Sequence, residues 1–465
     1  MDEQQLREWV SEAAERLQVP GVAVGVLHEG AERYAFHGVT SIENPLPVDE
    51  TTLFQFGSTG KTFTATAILR LVEQGELDLD ERVRTYVPEL RLKDESVAEK
   101  VTLMHLLNHT AGWSGDLIEN TGFGDDALAR YVEKMAEIEQ VTPLGATVSY
   151  NNASLSLAGR IIEKVTGKTF EQAMKELIFE PLGLSNSFFF PNDIMTRRFV
   201  AGHTQKNDGT IVVARPWALG RGGWPAGGIS SNAADQIAWA RFHLGDGRAP
   251  DGTRILSEET LKRMQQPTAE AAGSAIGDAI GISWMIRDVE GIRLVGHGGN
   301  TIGQDSGFDM VPERGFALIT MTNSSPNGSQ FNEELLRWAL EAYLGVIEKD
   351  PEPISLGDSE LARYAGTYET IAVDVELVPQ GGQLLIHVHV KPETIEQLVA
   401  SCEELEQPEP IPIGLLPGDG DRYIVTDGPA KGMRGYFVRG PEGEVEGIHV
   451  GGRFATKAKA PVTTS

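Results

Sequence analysis

Apolar residues recur along this chain in two rhythms. Leu6, Val10, Ala13 and Leu17 fall three and four positions apart, the spacing of one helix face. Residues 21–27 are almost continuously apolar and predict a central strand, followed by a turn at His28-Glu29-Gly30 and a second strand near Tyr34-Ala35-Phe36. A helical stretch follows Ser58 and ends near Gly75, a residue suited to the left-handed position beyond a helix. Residues 77–232 read as helices and long loops, among them a helix over 153–166 carrying Leu155, Ala158, Ile161, Ile162 and Val165 on one side. A short helix is expected over 258–265, strands over 281–322, and an amphipathic helix over 332–344. First and last helices flanking one antiparallel sheet, with a helical subdomain between, make this an α+β fold.

The rhythm changes near residue 350. Two prolines among charges, Pro351 and Pro353, read as a linker. Short alternating stretches follow at 373–378, 384–390, 423–425 and 436–438, separated by Gly, Pro and Asp. They predict a C-terminal all-β barrel or sandwich. The expected division is residues 1–348, a linker over 349–356, and a second domain over 357–465.

Composition narrows the function classes. The chain has 465 residues and a formal net charge of −27, from 40 basic and 67 acidic side chains. Such a surface repels nucleic acid and anionic membranes, so neither is expected as a partner. Cys402 is the only cysteine, so no disulfide can form within the chain. The acidic opening Met1-Asp2-Glu3 does not look like a signal peptide, and no apolar run has membrane-spanning length. A cytoplasmic location is expected, with export of a mature form left open.

The chemistry starts at Ser58-Thr59-Gly60-Lys61, where a loop becomes a helix. Residues three apart on a helix share a face, so the Ser58 hydroxyl and the Lys61 amine can meet. A lysine kept neutral can take the serine proton and create a nucleophile for acyl transfer. Tyr150-Asn151-Asn152 stands at the entrance of the 153–166 helix, where a phenol can relay a proton and an amide can hold a carbonyl. Gly296-His297-Gly298-Gly299-Asn300 follows a predicted strand, and its glycines allow close backbone approach. Exposed N–H groups on such a strand can supply half an oxyanion hole. His387 and His389 alternate on one strand without an evident third ligand. His105 and His109 lack the glutamate of the zinc-protease pattern, so neither metal nor cofactor is expected.

Taken in order, these motifs resemble those of the penicillin-recognising serine hydrolases, which include class C β-lactamases, D,D-peptidases, D-aminopeptidases and esterases. Residues 103–112 and 225–232 also look like the family, and the resemblance runs from about Val19 to about Leu344. Residues 361–368 resemble the entry to a lipocalin-like domain that some members carry. The resemblance implies Ser58 as nucleophile and Lys61 as general base, or as the group that keeps Tyr150 ionised to act as base. Asn152 would orient Lys61 and the substrate amide. The backbone N–H groups of Ser58 and Asn300 would form the oxyanion hole beside Gly299. His297 stands where β-lactamases carry a lysine, and a neutral imidazole offers no permanent cation to a substrate carboxylate. That favours a small ester, amide or short peptide as substrate. A β-lactamase or D,D-carboxypeptidase, an acyltransferase using the same site, and a non-catalytic binding homologue are the alternatives. Homo-oligomerisation is left open.

Overall fold

The computed structural model describes residues 3–117, 119–391, 409–418, 421–428 and 430–458. Its centre is a nine-stranded antiparallel sheet. The strand order is Ala31–Gly38, Gly21–His28, Phe316–Thr322, Gln304–Val311, Ile292–Gly296, Met285–Val289, Gly277–Ile280 and Ala269–Ser274. Gly299–Thr301 pairs beside Gln304–Val311 as a short continuation past His297.

The two central strands are apolar without alternation because both faces are covered. Gly21–His28 is buried up to its last residue, and Phe316–Thr322 is buried throughout. One face carries helices Glu3–Arg16 and Asn327–Ala339, with Leu6, Val10, Val24 and Phe331 in a shared core. The other face carries helix Gly60–Glu73 and the helical subdomain. In that larger core the Phe63 ring stacks on Trp239 at 3.8 Å between centroids. This is the α+β layering expected from the sequence.

Two boundaries differ from expectation. After the helical subdomain the strands resume at Ala269 rather than 281, because Ala269–Ser274 and Gly277–Ile280 contain small residues in place of the β-branched run that signals a strand. The last helix begins at Asn327 rather than 332. Asn327-Gly328-Ser329 reads as a turn, yet Gly328 is required for packing: a β-carbon there would lie 2.0 Å from Thr322 Oγ1.

The C-terminal part is a closed eight-stranded barrel, running from Gly366–Glu369 to Arg453–Lys457. Tyr364, Tyr368, Tyr423 and Phe437 fill its core. His389 pairs with Glu376 on the outside at 3.5 Å. Cys402 lies outside the described residues. The last hairpin joins Val445–Val450 to Arg453–Lys457 through Gly451-Gly452, both with positive φ as such a two-residue turn requires. This hairpin docks on the first domain. Gly452 O accepts from Tyr150 N at 2.9 Å, His449 Nε2 lies 3.1 Å from Val148 O, and Ser149 Oγ accepts from Phe454 N at 3.2 Å. Among the described residues no helix is long and apolar enough to cross a membrane.

Candidate active site

Ser58 sits in the tight turn Gly57–Thr59 that opens helix Gly60–Glu73. Gly57 adopts a φ of +56°, and a β-carbon on it would lie 2.5 Å from Asn300 O. Only glycine meets both demands. One turn later Lys61 is fully buried. Its Nζ lies 3.0 Å from Ser58 Oγ and donates to Ala226 O at 2.7 Å. Burial pushes the Lys61 ammonium well below the ordinary lysine range. The charge of Arg453 adds to the effect, and Asp116 opposes it. A neutral amine beside a serine hydroxyl has a lone pair free to accept the serine proton.

Tyr150 lies just before helix Asn152–Thr166, its ring 4.8 Å from Lys61 Nζ. Its phenol interacts with the Ser58 hydroxyl, which lowers its pKa. Burial outweighs that and pushes the phenol above its ordinary value. Tyr150 is therefore a neutral phenol at physiological pH, while Lys61 is the group driven towards its basic form.

The third motif is tied directly to the turn that carries Ser58. Thr59 Oγ1 donates to His297 O at 2.9 Å, and Ser306 Oγ donates to Phe56 O at 2.7 Å. A β-carbon on Gly299 would lie 2.0 Å from Phe56 O and 2.7 Å from Ser58 N, so the strand can approach only without a side chain. The backbones of Ser58 and Asn300 thus face one another across Gly57 and Gly299. His297 is buried, and its Nδ1 lies 2.6 Å from Gly298 O. That contact places the proton on Nδ1 and leaves Nε2, which has no partner among the described residues, as an acceptor. Burial lowers the imidazole to about 3, aided by the Lys61 charge, so His297 carries no cation at neutral pH.

A serine, a buried lysine and a tyrosine therefore come into contact with one another. The Beta-lactamase family model matches residues 6–343. The chain belongs to this family of penicillin-recognising serine hydrolases. It is 35% identical over 361 residues to "Penicillin-binding protein 4" of Amycolatopsis lactamdurans, covering 76% of this chain and 93% of that protein. Among solved structures, SurE with D-Leu superposes with a TM-score of 0.75 at 24% identity, over 98% of this chain and 99% of that one. The octameric penicillin-binding protein homologue from Pyrococcus abyssi superposes with a TM-score of 0.65 at 24% identity, over 98% and 100%. Both likenesses extend through the barrel.

Asn152 departs from its expected place. It is the first residue of its helix, and its Nδ2 donates to Asp116 Oδ1 at 2.8 Å rather than to a group on Lys61. Asp116 also receives Arg453, through Nη2 at 2.9 Å and through Nε. Arg453 reaches in from the barrel hairpin, and its guanidinium lies 5.2 Å from the Tyr150 ring centroid. Burial raises the Asp116 carboxyl, but the Arg453 charge, together with hydrogen bonds from Arg453 and Asn152, outweighs it and holds the group below its usual range.

Arg453 and Asp116 were not among the candidate residues. Asp116 sits just beyond the family-like stretch 103–112, and Arg453 follows a Gly-Gly turn. Neither has a local pattern that announces chemistry. Among the described residues no group of three or more His, Cys, Asp or Glu side chains is gathered as for a metal.

Proposed function

We propose that this chain is a serine hydrolase that forms an acyl-enzyme on Ser58 from small esters, amides or short peptides. The observation that carries this reading is the 3.0 Å contact between Ser58 Oγ and a fully buried Lys61 Nζ. Lys61 accepts the Ser58 proton as Oγ attacks the substrate carbonyl. The backbone N–H groups of Ser58 and Asn300 receive the developing oxyanion. As the tetrahedral intermediate collapses, the Lys61 ammonium returns the proton to the leaving alcohol or amine through the Tyr150 phenol. Water then attacks the acyl-enzyme by the same route in reverse. Asn152 and His297 border the bound acyl group, the first as an amide and the second as a neutral acceptor.

Arg453 modifies the substrate expectation. With His297 neutral, the Arg453 guanidinium, paired with Asp116 and about one-third exposed, is a cation beside Tyr150. It suits substrates ending in a carboxylate, including peptides with a terminal D-residue. The relative named as a penicillin-binding protein and the SurE structure with D-Leu support that direction. Arg453 also keeps a D,D-peptidase reading in play, since it supplies in another place the cation that His297 does not.

Intact-mass spectrometry after treatment with a fluorophosphonate tests the reading. One adduct is expected, absent in Ser58→Ala. An unlabelled wild-type protein would favour a non-catalytic homologue. A panel of p-nitrophenyl esters, D- and L-amino-acid nitroanilides and nitrocefin then ranks substrates, and an added amine or alcohol separates acyl transfer from hydrolysis. The octameric homologue makes self-assembly the expected state in solution, to be measured by light scattering.

A further inference from the structure

We propose that His109 is a positioning residue that holds the Tyr150 phenol on the Ser58–Lys61 pair. The proposal rests on the hydrolase reading given above. Helix Leu103–Leu107 ends at Asn108, and His109 follows in the left-handed region with a φ of +61°. Glycine is the usual residue in that position, because a β-carbon there is strained. A histidine kept there in spite of the strain points to work for its side chain.

The contacts show what that work is. The His109 carbonyl accepts from Ser149 N at 2.9 Å, and His109 Nδ1 accepts from Asn151 N at 3.2 Å. The N–H groups of the residues on either side of Tyr150 therefore hang on one residue. The imidazole also packs against the Tyr150 ring, 4.7 Å between centroids. With Tyr150 N bonded to Gly452 O, the backbone of residues 149–151 is anchored at every N–H, twice by His109. His109 is buried, and an Nδ1 that accepts must leave the proton on Nε2, so the ring is neutral. Burial, and after it the charge of Lys61, keeps it in that form. The ring can therefore brace Tyr150 without adding a positive charge that would compete with Lys61.

The test uses His109→Gly and His109→Asn in the full chain. Glycine removes the backbone strain, the Nδ1 acceptor and the ring together. Asparagine tolerates the left-handed conformation and offers Oδ1 as a substitute acceptor. Turnover of p-nitrophenyl acetate is measured per site titrated with fluorophosphonate, so that loss of folded protein does not count. For His109→Gly, kcat per site is expected to fall by roughly 10- to 100-fold with KM changed less than about 3-fold, since a displacement near 1 Å can cost 100-fold. His109→Asn should recover part of that loss. A His109→Gly variant within two-fold of wild-type kcat, or His109→Asn falling as far as His109→Gly, would overturn the proposal. If His109→Gly does not fold, His109→Asn against wild type carries the comparison, with a partial loss of kcat expected and an unchanged kcat overturning it. If the wild-type protein itself does not label, the hydrolase reading fails separately. A crystal structure of His109→Gly with the Tyr150 phenol unmoved would then sink the positioning claim by itself.

Discussion

Arg453 binds Asp116 across 337 positions of sequence, its Nη2 2.9 Å from Asp116 Oδ1, and so brings a barrel side chain beside Tyr150. The charge of Arg453 acts on Lys61 and opposes its protonation. Replacing Arg453 by Met removes that opposition and leaves Asp116 without its partner, and both changes favour the lysine cation. The acid limb of kcat/KM should therefore move to higher pH in Arg453→Met. KM for a substrate with a free carboxylate should rise by roughly 10-fold or more, the loss of one charge-assisted hydrogen bond, while that for a neutral ester changes little. A pH profile on each substrate checks both expectations, and an acid limb that stays in place would remove Arg453 from the electrostatics of the site.

Lys61 should be the base and Tyr150 the relay. Lys61→Ala is expected to lower kcat by about 10²- to 10⁴-fold, the usual range for a general base, with a smaller change in KM. Tyr150→Phe should cost less, because burial holds the phenol in its neutral form. In the wild-type enzyme, activity should be lost as pH falls through the lowered lysine value and the amine takes up a proton. Pre-steady-state acylation rates of the two variants decide the order, and a Tyr150→Phe variant slower than Lys61→Ala would reverse the roles.

Asp309 gives a pH dependence of stability. Burial raises its carboxyl to about 7, against an ordinary value of 3.8. The folded state therefore binds a proton that the unfolded state has released between those values, and folding is favoured at the acid end of that window. Stability from this group is lost as pH rises through about 7. Asp309→Asn should leave stability near pH 3 almost unchanged and raise it near pH 8 by up to roughly 4 kcal/mol, the distance from 3.8 to about 7 at about 1.4 kcal/mol per unit. Denaturant melts at both pH values measure the difference.

Phe63 anchors the helix that carries Lys61. It is fully buried, stacks on Trp239 at 3.8 Å, and packs near Phe56 at 5.7 Å. Phe63→Ala should cost about 3–5 kcal/mol, read from chemical denaturation. Phe63→Leu should cost less, since much of the volume is kept.

Short-range features were readable in the sequence and long-range ones were not. Ser58 and Lys61 meet because they lie one helical turn apart, and that spacing is visible without coordinates. The barrel strands over 373–378 and 384–390 announced themselves by alternation, and the structure extends them to Val373–Gln380 and Gln383–Val390. Arg453 had no such signal, because its meaning depends on a hairpin from another domain landing beside Tyr150. Asn152 was paired with Lys61 on sequence, whereas Asp116, a residue with no motif of its own, takes its amide. The Ala269–Ser274 strand was missed because its glycine and alanines hide its edge position in the sheet.

The tether between Thr59 and His297 spans 238 positions, and this ordering in sequence governs when the crevice can exist during synthesis and refolding. A chain still lacking its distal strands has the serine and the lysine but no wall beside them, and contacts between remote segments are the slow ones to form. Helical signal should therefore return on dilution from denaturant before turnover does. Until the strand carrying His297 has been made, Thr59 therefore has no partner for this tether.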